Sequence, residues 1–135
     1  MSLGLCLAVA TSIVATLPVE RFTLSWTHSV ERVAWEEDWR IDPAGHNLVL
    51  VESRLHGSGA GMDPPEGAVL RDGVWHGPGG LVVPRLRLAL SEFTDDWRLC
   101  TDSGCRPLIE RVEVRAGTVD LFACPIRASQ QPLDR

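Results

Sequence analysis

The sequence predicts an all-β fold, and three observations carry that prediction. Apolar residues recur with period two along the chain, as in Phe22–Val30 and Val33–Ile41. Turn signals such as Asp42-Pro43-Ala44-Gly45, Asp72-Gly73 and Gly77-Pro78-Gly79-Gly80 separate the alternating runs at short intervals. No segment offers a convincing amphipathic helix. The expected architecture is a single-domain antiparallel sandwich or barrel of roughly eight to ten short strands. It spans residues 1–128, with a loose polar tail at 129–135.

Leu3–Leu17 carries no charge, but it is shorter than the ~20 residues of a spanning helix. It lacks the basic start of a secretion signal, and Ala8-Val9-Ala10 would leave a very short apolar region before it. Gly4 and the β-branched Val9, Thr11, Ile13, Val14 and Thr16 favour two buried strands, Leu3–Ala10 and Ile13–Leu17, over the remnant of an export signal. Neither a clear export signal nor a transmembrane helix is expected.

Phe22–Val30 and Val33–Ile41 form the first large hairpin. Leu48–Leu55 is a mostly apolar strand, followed by the glycine loop Gly57–Gly61. Asp72-Gly73 is a two-residue hairpin signal between Val69-Leu70 and Val74-Trp75. Leu86, Leu88 and Leu90 share one strand face. Asp96–Cys100 and Cys105–Ile109 make a cysteine hairpin, and Val112–Val114 with Thr118–Cys124 close the domain.

Composition narrows the function. The 135 residues carry a net charge of −5, which argues against nucleic acid or an anionic membrane as partner. All 13 basic residues are arginine, because lysine is absent. That excludes a Walker-type phosphate loop, a Schiff-base lysine and a lysine general base. The four histidines show no metal-ligand spacing, and no cofactor motif is present, so neither a metal nor a cofactor is expected.

Cys100 and Cys105 flank a four-residue turn, Thr101–Gly104. In a hairpin they face each other, close enough for a disulfide in an oxidising compartment and free thiols in a reducing one. Whether Cys6 meets Cys124 depends on the order of the terminal strands, which the pattern does not fix.

The candidate site lies on the first hairpin. His28 falls in the apolar row of Phe22, Leu24, Trp26 and Val30, and Glu37 falls in the row of Val33, Trp35, Trp39 and Ile41. With the turn centred on Glu31-Arg32, paired residue numbers sum to 63, and His28 and Glu37 become diagonal neighbours. A carboxylate on an apolar face needs a partner. The reading is a His28–Glu37 pair walled by Trp26, Trp35 and Trp39, with Gly59, Gly61 and Met62 of the glycine loop completing the functional face. The competing reading is a histidine that satisfies a backbone carbonyl beside an ordinary tryptophan core. Glu52 and Arg54 alternate onto the face of Leu48 and Leu50, as an ion pair or as solvated edge residues.

The stretches FTLSWTHSVERVAWEEDW, LVLVESRLHGSGAGMDPPEGAVLRDGVW and WRLCTDSGCRPL resemble the bacterial domain-of-unknown-function family 1850, from Leu5 to about Leu121. WTHSVE followed by GSGAGM is the specific signature. The family has no established activity, so no catalytic residue is carried over. Its members are commonly encoded beside TRAP-type transporters of the TAXI class. The resemblance implies an accessory role near an uptake system, with transporter subunits as partners. With the cysteines, it is also compatible with an extracytoplasmic, periplasmic location, which the residues alone leave open. Two rival functions stand beside this one. The first is an acid–base enzyme using His28 and Glu37, for which no nucleophile is evident. The second is a structural partner acting by sheet-edge pairing.

Overall fold

The computed structural model describes residues 2–28, 33–56, 64, 66–90, 97–113 and 117–126, with the backbone alone at His28 and Val33. Gly59, Gly61 and Met62 therefore lie outside the described residues. Among those described, twelve strands and one short helix form two antiparallel sheets. The smaller sheet has the order β2 (Ser12–Leu17), β1 (Ser2–Val9), β12 (Gly117–Ile126), β9 (Leu86–Leu90). The larger runs β11 (Gly104–Pro107), β10 (Arg98–Thr101), β3 (Arg21–His28), β4 (Val33–Asp42), β5 (Asn47–His56), β7 (Val74–Gly77), β6 (Val69–Arg71). The short β8 (Val82–Val83) pairs with β5. The architecture is an open sandwich rather than a closed barrel, and its strands outnumber the expected eight to ten because β6, β7 and β8 are very short.

Alternation builds the core. Leu5 and Leu7 of β1, Val119 and Leu121 of β12, and Leu88 and Leu90 of β9 face Phe22, Leu24, Trp39, Ile41, Leu48 and Leu99 of the larger sheet. Each fully buried leucine contributes about 2 kcal/mol relative to an exposed one. Asp72 and Gly73 both take positive φ, at 51° and 80°, which gives the β6–β7 hairpin a tight turn matched to strand twist.

The helix α1 (Leu108–Val112) occupies part of the run expected to be strand. Pro107 has no N–H to extend the β10–β11 ladder, so the strand stops there. Leu108 and Val112, four apart, then enter the core from one helical turn. Glu113 ends it in the left-handed region at φ 57°. A single turn is too short to announce itself by periodicity.

Both cysteine pairs are disulfides. Cys100 and Cys105 are direct cross-strand partners in β10 and β11. Cys6 and Cys124 tie β1 to β12 across 118 residues of chain. The paired first and last strands that make this link possible sit at the centre of the smaller sheet.

A polar network and a tryptophan row on two faces of one sheet

The β3–β4 register differs from the expected one. Paired numbers sum to 61, so Trp26 faces Trp35, Phe22 faces Trp39 and His28 faces Val33. This register sets aromatic residues against each other, where a sum of 63 would set Trp26 against a carboxylate. Glu37 consequently stands opposite Leu24, not diagonal to His28. Leu24 and His28 are four residues apart on β3, about 13 Å of strand. The two residues are therefore not cross-strand neighbours.

The partners of Glu37 are the indoles beside it. Trp35 Nε1 donates to Glu37 Oε2 at 3.2 Å, and Trp39 Nε1 donates to Oε1 at 3.1 Å. Residues two apart on a strand point to the same side, which is why a W-x-E-x-W stretch can bracket its own carboxylate. Each carboxylate oxygen keeps capacity for another donor. Ser53, directly across on β5, is buried beside it.

The three tryptophans of the expected wall separate. Trp39 is 2% exposed and belongs to the sandwich core. Trp26 and Trp35 are half-buried and continue into a row across the sheet: Trp26, Trp35, Leu55, Trp75 are successive cross-strand partners. Trp97 extends the row from the other side, its ring centroid 6.3 Å from that of Trp26. Trp75 and Trp97 escaped the sequence reading because they sit on short segments far along the chain. Their only signal was an aromatic residue beside a turn.

The opposite face of the same strands holds a polar network in which Glu52 and Arg54 form the ion pair that was one of the two expected alternatives, but on the face away from Leu48 and Leu50. Register slips between Asp38 and Trp39, where Asp38 pairs with Glu52 and Trp39 with Leu50. Val51 is the extra residue of this bulge and is 50% exposed. One inserted residue inverts the alternation beyond it. Glu52 and Arg54 therefore point away from Leu48 and Leu50, while Ser53 and Leu55 turn inward.

Arg54 is the centre of the network. Its guanidinium reaches Asp38 at 2.6 and 2.9 Å, Glu36 at 3.2 Å and Glu52 at 3.2 Å. His56 Nε2 donates to Glu36 at 2.6 Å, His76 Nδ1 donates to Glu52 at 2.5 Å, and Thr23 donates to Asp38 at 2.7 Å. The Arg54 hydrogen bonds hold the Asp38 carboxyl below its usual range, against a smaller effect of burial. Burial pushes Glu36 up, but His56 and Arg54 together outweigh it and leave it lowered. The His76 hydrogen bond is the main cause of the lowered Glu52. Asp38 and, to a smaller extent, Glu36 raise Arg54 above the ordinary arginine range.

Chemically, this face contains two imidazole–carboxylate dyads cross-linked by one arginine. Among the described residues no group of three or more His, Cys, Asp or Glu is placed to hold a metal ion. The guanidinium occupies the space between the three carboxylates. On the smaller sheet, Asp120 is 5% exposed and binds Arg87 at 2.8 and 3.1 Å and Arg85 at 3.0 Å. Arg85 also lies over the Phe122 ring at 5.0 Å, so this cluster reads as a clamp on β9 and β12.

Comparison with known proteins places the chain. Residues 22–108 match the model of a domain of unknown function, DUF1850, and the chain belongs to that family. No curated protein and no solved structure matches it. No helix among the described residues is long and apolar enough to cross a membrane. The two disulfides are compatible with an extracytoplasmic location.

Proposed function

We propose that this protein is a small periplasmic binding module that serves as an accessory to a TRAP/TAXI-type solute uptake system. Its partner surface is the tryptophan row of the larger sheet, with Glu37 as the fixed acceptor within it. The observation that carries this reading is the bracketed carboxylate. Trp35 and Trp39 hold Glu37 in one orientation beside half-exposed indoles, so its acceptor groups are positioned before any partner arrives. Half-buried tryptophans are the residues most enriched at energetically important contacts. His28 and the Gly59–Met62 loop belong to this proposed face by sequence position.

The test is co-purification of the disulfide-bonded protein with the subunits of a TAXI-type transporter encoded beside it. Wild type is expected to retain a subunit that Trp26→Ala loses, with Glu37→Gln as a second, milder variant. Failure of every subunit to associate would falsify the accessory role.

One observation favours a second reading. The edge strand β6 exposes Val69 at 57% and Leu70 at 53%, beside a ladder with no further strand described. An apolar edge suits strand addition by a partner. A Leu70→Lys variant that loses the transporter subunit, while Trp26→Ala keeps it, would move the partner surface to that edge.

A further inference from the structure

The far end of β3 and β4 carries a different feature. Arg21 and Arg40 are direct cross-strand partners. Like charges set opposite each other destabilise an antiparallel pair. The chain has 18 acidic residues to offer, and among the described residues Arg54, Arg85 and Arg87 all bind carboxylates. Among the described residues Arg21 and Arg40 bind none, as is also true of Arg98 and Arg106, but only Arg21 and Arg40 are paired across a ladder with each other. Both line a cleft of about 700 Å3 at the rim of the sandwich, together with His46 and Glu20. Leu3 and Ile41 give it apolar walls. Glu20 uses its backbone carbonyl to receive the Ile41 N–H, and its carboxylate bridges neither arginine. The nearby Asp42 carboxylate accepts from the Ala44 N–H within the β4–β5 turn. The volume falls within the usual range for a small-ligand site.

We infer that this rim cleft binds a small organic carboxylate. Directly paired residues project from the same face of the sheet, so both guanidinium groups can reach one carboxylate and relieve their mutual repulsion by taking it. The apolar walls suit a short hydrocarbon body, which inorganic phosphate lacks. The cleft is separate from the tryptophan row, since Arg21–Arg40 and Trp26–Trp35 lie five residues apart along both strands. Its success or failure is therefore independent of the accessory role.

The test is isothermal titration of the full disulfide-bonded chain with hexanoate, with hexan-1-ol as the neutral body and inorganic phosphate as the bodiless anion. Saturable hexanoate binding is expected, about tenfold or more tighter than either comparator. Arg21→Gln or Arg40→Gln should each weaken it by about tenfold, while Arg106→Gln leaves it unchanged. Melting temperatures separate lost binding from lost folding, because relieving the like-charge pair leaves the unliganded variants as stable as wild type or more so. Added NaCl should weaken binding. Absence of saturable hexanoate binding, indifference to both arginine variants, or phosphate binding as tightly as hexanoate would each overturn the assignment.

Discussion

Removing the two disulfides one at a time should have very unequal effects. Cys6–Cys124 closes 118 residues and Cys100–Cys105 closes five. In the chain-entropy description, the long link removes about 5 kcal/mol of freedom from the unfolded chain and the short one about 2 kcal/mol. Burial widens the gap. Cys6 and Cys124 are 2% and 6% exposed and pack with Ile126 and Phe122, so truncating them also removes core contacts, whereas Cys105 is exposed. A domain of this length has about 7–20 kcal/mol of total stability, so the long link is a large share of it. Urea unfolding of Cys6→Ala/Cys124→Ala and of Cys100→Ala/Cys105→Ala should differ by about 3 kcal/mol, the first being weaker. Thermal midpoints should fall by about 15–25 °C for the first variant and about a third of that for the second. Equal losses, or a larger loss from the short link, would refute the assignment of the greater stabilising share to the Cys6–Cys124 link. The same gap makes a reducing compartment costly for the fold.

Four further outcomes follow from the larger sheet. Arg54→Gln should cost about 1–2 kcal/mol at neutral pH, read by urea unfolding, because three half-buried carboxylates lose their shared cation. Glu36, Asp38 and Glu52 are lowered in the folded state, so their contribution is complete above the ordinary carboxylate range and fades as pH falls through it. A melting series from neutral to acid pH should therefore be steeper for wild type than for Arg54→Gln; parallel curves would remove the network from the acid response. Glu37→Leu should cost about 1–3 kcal/mol by stranding the buried Trp39 N–H, and an unchanged urea midpoint would show that this donor finds another partner. Deleting Val51 should abolish cooperative unfolding, since it turns either the Leu48–Leu50 or the Ser53–Leu55 segment of β5 to the wrong face. A deletion variant with a normal transition would mean that the bulge relocates.

Alternation along single strands was legible in advance, because period two is a local property. Leu3–Ala10 and Ile13–Leu17 emerge as β1 and β2 with ends moved by a residue or so, and the Asp72-Gly73 turn falls where its residues demand positive φ. Properties that depend on two distant segments were not legible. The β3–β4 register turned on a loop whose length the residues leave open, and a shift of two in the sum moved Glu37 from His28's neighbourhood to Leu24's. The Val51 bulge inverted Glu52 and Arg54, and nothing in LVLVESRL marks Val51 as the surplus residue. The network that resulted draws His76 and Glu36 from separate strands, so its members share no spacing that a motif could capture. The W-x-E-x-W bracket was the opposite case. It lies within one strand and is readable as geometry, although the histidine in the neighbouring apolar row competes with the indoles as its partner.

The accessory role is tested most directly by the five indole N–H resonances of the protein, followed as a purified TAXI-type transporter subunit is added. Trp26, Trp35, Trp75 and Trp97 are expected to shift or broaden together, with Trp39, sealed in the core, following only through its hydrogen bond to Glu37. Perturbation confined to outer-face residues such as His56 and His76, with all five indoles unmoved, would contradict the accessory role.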